Sequence, residues 1–183
     1  MNTLSRICLF CFFILILAGC DRATKNIAKH ELKDKEAISI LHDSFRLEYV
    51  ENTGAAMSLG DALPRRVSFW ILSVLPLCFL MVLLVYVLRD FNSMSSLKLL
   101  SFALILAGGM GNIIDRIQFD RHVTDFMNIG IGNIRSGIFN FADVYVSAGV
   151  VLLLLSLQNN KKKLQPEALT EVTDPVVHHD HFN

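Results

Sequence analysis

Hydrophobic and polar residues in this chain are sorted into blocks. Val67–Leu88 (VSFWILSVLPLCFLMVLLVYVL) holds no charged residue and meets the roughly 20 apolar positions that a helix needs to cross a bilayer. Trp70 and Tyr86 stand near its ends, where interfacial belt residues sit. Pro76 lacks an N–H, so a kink is expected within this helix. Leu97–Ile114 and Ile138–Leu157 are two further spans, and the opening block Leu4–Gly19 is the shortest. The pattern therefore predicts spans over 4–20, 67–88, 97–114 and 138–157, in one integral-membrane domain covering 1–157. The polar tail, 158–183, begins QNNKKK and has the composition of a disordered segment.

The connections differ in character. Asp21–Lys35 reads as a polar helix running out of the first span. In FRLEYVEN, Phe45, Leu47 and Tyr49 alternate with polar residues, which predicts a strand lying on the membrane surface. Asp90–Ser96 is a short polar turn, and Asp115–Gly137 is a Gly- and Asn-rich link between the last two spans. Four spans put both termini on one side. Arg6 and Lys161–Lys163 favour the cytoplasm for that side, but Lys25, Arg65, Arg66, Arg116 and Arg121 oppose it, so charge alone leaves the orientation open.

One stretch invites a different reading. Leu17-Ala18-Gly19-Cys20, after a charged start and an apolar run, has the form of a lipobox, at which a lipoprotein precursor is lipidated and cut before the cysteine. Three later spans argue against it, because a lipid anchor adds little to a chain that crosses the membrane repeatedly. Cys20 is then the end of the first helix and the lipobox a mimic.

Composition narrows the partners. The chain has 183 residues, 52% hydrophobic and 19% charged, with a formal net charge of zero, so nothing points to nucleic acid. Cys8, Cys11, Cys20 and Cys78 lie in or beside apolar blocks without zinc-site spacing, and no metal or cofactor is expected. His178, His179 and His181 decorate the polar tail.

Polar residues gather at one set of span ends: Asp21 and Lys25, the loop Asn52–Ser58, Gly108–Arg116, His122–Phe126, and Phe139–Tyr145. A carboxylate within a span is a functional candidate by default. Asp143 would lie about a turn and a half into the last span, roughly 8 Å below its start. Asp125, in the link before it, can reach the same spot. Two carboxylates sharing one site do not both ionise easily, so one can stay protonated to polarise a carbonyl while the other activates water. The alternative is structural: Asp143 pairs with Arg116 or accepts from Asn112.

Together these motifs resemble the lipoprotein signal peptidase family, signal peptidase II. The resemblance runs from about Ser5 to Leu157. Its motifs are Asp21-x-x-x-Lys25, Asn52-x-Gly54-Ala55-Ala56, Gly109-x-Gly111-Asn112-x-x-Asp115-Arg116, Val123-x-Asp125-Phe126, and Phe139-Asn140-x-Ala142-Asp143. Met57 departs from the aromatic residue usual after Gly-Ala-Ala. The resemblance implies an all-α membrane protein of four transmembrane helices with a small extracytoplasmic β-cradle and an interfacial helix. It implies a multi-pass protein of the bacterial cytoplasmic (inner) membrane, both termini cytoplasmic and the active site near the outer face. The implied activity is that of an aspartic endopeptidase cutting diacylglyceryl-modified prolipoproteins on the N-terminal side of the lipidated cysteine. Asp125 and Asp143 would be catalytic. Asn52, Gly54, Asn112, Arg116 and Asn140 would orient the site or grip substrate. Asp21 and Lys25 would tie the first span to the cradle, and Asp115 would pair with Arg116. The implied partners are the lipidated precursor and membrane lipid, with the enzyme working as a monomer. The rival class is a small transporter or proton-relay subunit, which would spread ionisable groups through the spans.

Overall fold

A computed structural model describes residues 2–54 and 63–171, with side chains as far as residue 158. Four helices are long and apolar enough to cross a membrane. Helix α1 (Thr3–Leu32) is unbroken from the apolar opening block through Asp21 and Lys25 to the polar segment that follows. The second span consists of α2 (Arg65–Phe69), a π-helical turn (Trp70–Val74) and α3 (Leu75–Arg89). This π turn is how the helix meets Pro76, whose ring cannot tolerate the normal carbonyl register of the preceding turn. Helix α4 (Ser96–Gln118) starts at Ser95, whose hydroxyl accepts the Lys98 N–H. Helix α5 (Phe141–Glu171) runs well past the expected span end at Leu157; the Gln, Lys, Leu and Glu residues there are good helix formers. The His-rich end of the tail, Ala55, Ala56 and Met57 lie outside the described residues. No separate surface helix occurs among the described residues.

Between the spans sits a four-stranded antiparallel sheet in the order β1 (Ile38–Ile40), β2 (Phe45–Asn52), β3 (Val123–Ile131), β4 (Ile134–Arg135). Strand β2 matches the alternation of Phe45, Leu47 and Tyr49, which pack with Ala28 and Leu32 of α1. About half of the link between the last two spans is strand, β3 and β4, turned at Gly132 with a positive φ.

Helix α4 is central and touches α1, α3 and α5. Gly111 allows α1 and α4 to approach closely: a Cβ there would stand 2.6 Å from Asp21 Oδ2. At that crossing the bundle buries a lysine. Lys25 Nζ lies 2.7 Å from Asp21 Oδ2 and 2.9 Å from Asp115 Oδ2, with all three side chains 1% exposed. Asp115 also takes Arg22 Nη1 at 2.7 Å. Asp21 Oδ1 accepts the Ala142 N–H at 2.8 Å, so the cluster joins α1, α4 and the start of α5. Asp21 and Lys25 thus tie the first span to two other spans, not to the sheet. Asp115 pairs with Lys25 and Arg22, not with the adjacent Arg116, because successive helical side chains point about 100° apart.

Removing one member of such a buried ionic group costs about 3–5 kcal/mol, because its partners are left charged and unpaired. Lys25→Met is expected to lower the unfolding midpoint in detergent sharply. Adding Asp21→Asn and Asp115→Asn to Lys25→Met should restore part of the loss, as read by thermal unfolding of the two proteins side by side.

Candidate active site

Two local devices bring Asp125 and Asp143 to one place. The first is a β-bulge. Leu47 pairs with Met127 and Val50 with Asp125, so β2 advances three residues while β3 advances two. Paired residues of antiparallel strands share a face, so the extra residue moves Val50 and Asn52 onto the Asp125 face. Asn52 Nδ2 donates to Asp125 Oδ2 at 2.9 Å. Without the bulge, Asn52 would point to the other side of the sheet.

The second device is the start of α5. Phe139 pairs backbone-to-backbone with Met127, which sets Asn140 beside Asp125. Asn140 Oδ1 accepts the Asp143 N–H at 3.1 Å, and the Asn140 N–H donates to Asp143 Oδ2 at 3.0 Å. This is a reciprocal capping box. Asp143 is therefore in the first helical turn, not a turn and a half deep, because Asn140 ends the extended segment two residues beyond the expected start of the span. A carboxylate at that position also faces the positive end of the helix.

Asn140 then bridges the pair, since its Nδ2 donates to Asp125 Oδ1 at 2.6 Å. Asn112 completes the frame. Its Oδ1 accepts from Lys25 Nζ at 3.0 Å and from Asn140 Nδ2 at 3.2 Å, which leaves Nδ2 to donate to Asp143 Oδ1 at 2.8 Å. Asp143 accepts from Asn112 and forms no salt bridge with Arg116. The Arg116 guanidinium donates to the Gly54 carbonyl from Nη2 at 2.9 Å and to the Asn112 carbonyl from Nη1 at 3.3 Å, while its Nε is buried without a partner. Gly54 N–H in turn donates to Asn52 Oδ1 at 2.9 Å, so this loop and the strand before it are held together.

Asp125 is 3% exposed, and burial pushes its carboxyl up to about 6. The Asp143 carboxylate raises it further; the bonds from Asn52 and Asn140 and the Lys25 charge pull the other way.

Both aspartates open into a cleft of about 870 Å³. Asn52, Asn112 and Arg116 form its polar end. One wall runs along α5 through Val144, Ser147, Ala148 and Val151, and Ile129 and Phe139 add further apolar surface. The α5 residues were not singled out from sequence, although their i, i+3, i+4, i+7 spacing marks one helix face. The structure thus gathers Asn52, Asn112, Arg116 and both aspartates on the cleft wall, with Gly54 and Asn140 bonded to them from behind, and places Asp21, Lys25 and Asp115 in the next layer.

The model of the peptidase A8 family, described as signal peptidase (SPase) II, matches residues 13–159. A lipoprotein signal peptidase of Fusobacterium nucleatum is 32% identical over 159 residues, covering 86% of this chain and 92% of that protein. One of Halothermothrix orenii is 36% identical over 149 residues, covering 81% and 94%. A bacterial membrane enzyme solved by the in meso method at 2.3 Å has the same fold, with a TM-score of 0.72 and 24% identity over 86% of this chain and 92% of its own. The capped Asp143, the bulge-aimed Asn52 and the cleft along α5 therefore sit in a multi-pass bacterial membrane protein that belongs to the signal peptidase II family.

Proposed function

We propose that this chain is an aspartic endopeptidase that cuts lipidated prolipoproteins before the modified cysteine. The observation that carries this reading is the pair of carboxylates bridged by Asn140 at the polar head of an otherwise apolar cleft. An apolar wall along a spanning helix suits a signal-peptide segment and an acyl chain still in the bilayer. The polar head suits the peptide bond at their junction.

The two aspartates divide the work. Asp125, buried and held near 6, carries the proton; Asp143, fed by two N–H donors, is the base. Asp143 takes a proton from water as the water oxygen bonds to the scissile carbonyl carbon, and Asp125 gives its proton to the carbonyl oxygen. Collapse of the tetrahedral intermediate breaks the C–N bond. Asp143 then protonates the leaving nitrogen, and Asp125 recovers its proton from the hydroxyl. The products are a signal peptide with a free carboxylate and a lipoprotein with a free cysteine amine. Asn52, Asn112 and Asn140 fix both carboxylates, and the Arg116 guanidinium on the cleft wall is a donor for a substrate carbonyl. Asp21, Lys25 and Asp115 support the frame without touching substrate.

The same reading puts both termini in the cytoplasm and the cleft at the outer face of the inner membrane. Arg6, Arg89 and Lys98 share the end of the bundle away from the aspartates, as positive-inside orientation requires. The same reading has the enzyme working as a monomer.

Release of the signal peptide from a diacylglyceryl-modified precursor, followed on a gel in detergent, tests the assignment. Asp125→Asn and Asp143→Asn should each lower the rate by about 10³-fold or more while remaining folded. An intact precursor with folded wild-type protein would return the proton-relay alternative. Survival of activity in one variant would remove the paired mechanism.

The pH dependence has a definite sign. Asp125 must be protonated at the outset, so kcat/KM should fall as pH rises through about 6. That midpoint belongs to the coupled pair and not to one group. Stability should move the same way. A carboxyl raised from 3.8 to about 6 in the folded state favours folding below its unfolded value and loses that contribution as pH rises through 6. The change is about 3 kcal/mol at most. Unfolding midpoints measured from pH 4 to 8 should decline in the wild type and flatten in Asp125→Asn.

A further inference from the structure

The end of the bundle opposite the aspartates carries a second concave surface with a different chemistry. A groove of about 550 Å³ runs along the outside of α3, walled by Met81, Val82 and Val85 and closed at its polar rim by Tyr86 and Arg89. Lys98 of α4 completes that rim: its Nζ donates to the Tyr86 hydroxyl at 3.0 Å and lies 5.4 Å from the ring centroid. We propose that this groove is a binding site for one glycerophospholipid with an anionic headgroup.

The groove faces the bilayer, since Val82 is 70% exposed on a helix that spans the membrane, so its occupant there is lipid or another membrane segment. Its dimensions match one leaflet. Met81 to Arg89 rises roughly 12 Å along the helix, against about 15 Å for half of a ~30 Å hydrocarbon core. The rim supplies the headgroup chemistry. Arg89 and Lys98 form no salt bridge with a carboxylate among the described residues, and Asp90 is the one acidic residue on the groove wall. Arg6 adds a third cation at the same end, over the Phe91 ring. Cations outnumber the carboxylate, and they stand where a phosphate would sit when an acyl chain lies on the valines. The fixed Lys98 matters most, because the Tyr86 hydroxyl and ring hold its ammonium in place without neutralising it. Basic rims between spanning helices attract anionic lipid in this way. The inference rests only on the chain spanning a bilayer and is independent of the peptidase chemistry.

Native mass spectrometry of delipidated protein in neutral detergent, titrated with equal amounts of phosphatidylglycerol and phosphatidylcholine, tests it. The wild type should retain one phosphatidylglycerol with about tenfold preference over phosphatidylcholine. Arg89→Gln with Lys98→Gln should abolish the preference while some acyl-chain binding remains. Val82→Trp, which fills the groove and leaves the cations, should lower retention of both lipids. Unfolding midpoints in lipid-free detergent serve as the folding control for each variant. Equal retention of the two lipids by the wild type, or a preference that survives both sets of substitutions, would overturn the proposal. A lipid-independent dimer that Val82→Trp dissolves would also overturn it, making the groove a contact between copies.

Discussion

The ammonium of Lys25 is the constraint on which the rest of this structure hangs. Burying a charge costs several kcal/mol even after relaxation, and only close, well-directed partners offset it. Lys25 has three oxygens within 3.0 Å, from Asp21, Asp115 and Asn112. Asp21 is on its own helix; the other two are on α4. Asp21 then reaches the Ala142 N–H and fixes where α5 begins. Gly111 is the geometric condition for this, because any side chain there would occupy the space of the Asp21 carboxylate. Three spanning helices are thus registered against one another at a single depth. In a bilayer, where helices gain little from hydrophobic contact with each other, such polar ties set the packing.

That registry passes to Asp125 and Asp143 through amide orientation. An amide has one accepting and one donating end. Lys25 takes the accepting end of Asn112, so the donating end is turned to Asp143. Asn140 divides its functions in the same manner, accepting from the α5 backbone and donating to Asp125 and to Asn112. Among the described residues, Asp125 and Asp143 therefore receive no direct ion pair. Each is held by amides, which position a carboxylate without fixing its protonation state. A guanidinium in their place would favour the ionised form of both aspartates.

The spans and the polar motifs at their ends were legible because both are local: an apolar run has a length, and Asp143 follows Asn140 at a set spacing. The depth of Asp143 was misjudged because Ile138 and Phe139 are apolar and count toward a span, although Phe139 bonds backbone-to-backbone with Met127 and the helix starts only at Phe141. Strand β3 carried a signal in the alternation of Val123, Met127 and Ile129 and in the Gly132-Asn133 turn. It was masked by the surrounding glycines, and its partner strand lies more than seventy residues earlier in the chain. The bulge left no sequence mark at all. It exists only as a mismatch between two strands, so the agreement of Asn52 with the Asp125 face could not be read from either one. The partners of Asp115 were likewise beyond reach, since adjacency to Arg116 in sequence says nothing about which helix face each occupies.

The same geometry explains why the chain can carry a lipobox-like segment of its own. The Gly19–Cys20 bond lies in the middle of α1, where backbone groups are already bonded within the helix. The next residue, Asp21, is locked by Lys25 and Ala142. Presenting that bond to the carboxylates would require unwinding α1 at the residues that hold them, so a chain unwound there would no longer have the frame around Asp125 and Asp143. A separate substrate faces no such conflict. On the proposed reading its junction between apolar segment and modified cysteine would enter a frame that is already assembled, whereas Leu17-Ala18-Gly19-Cys20 is part of that frame's own support.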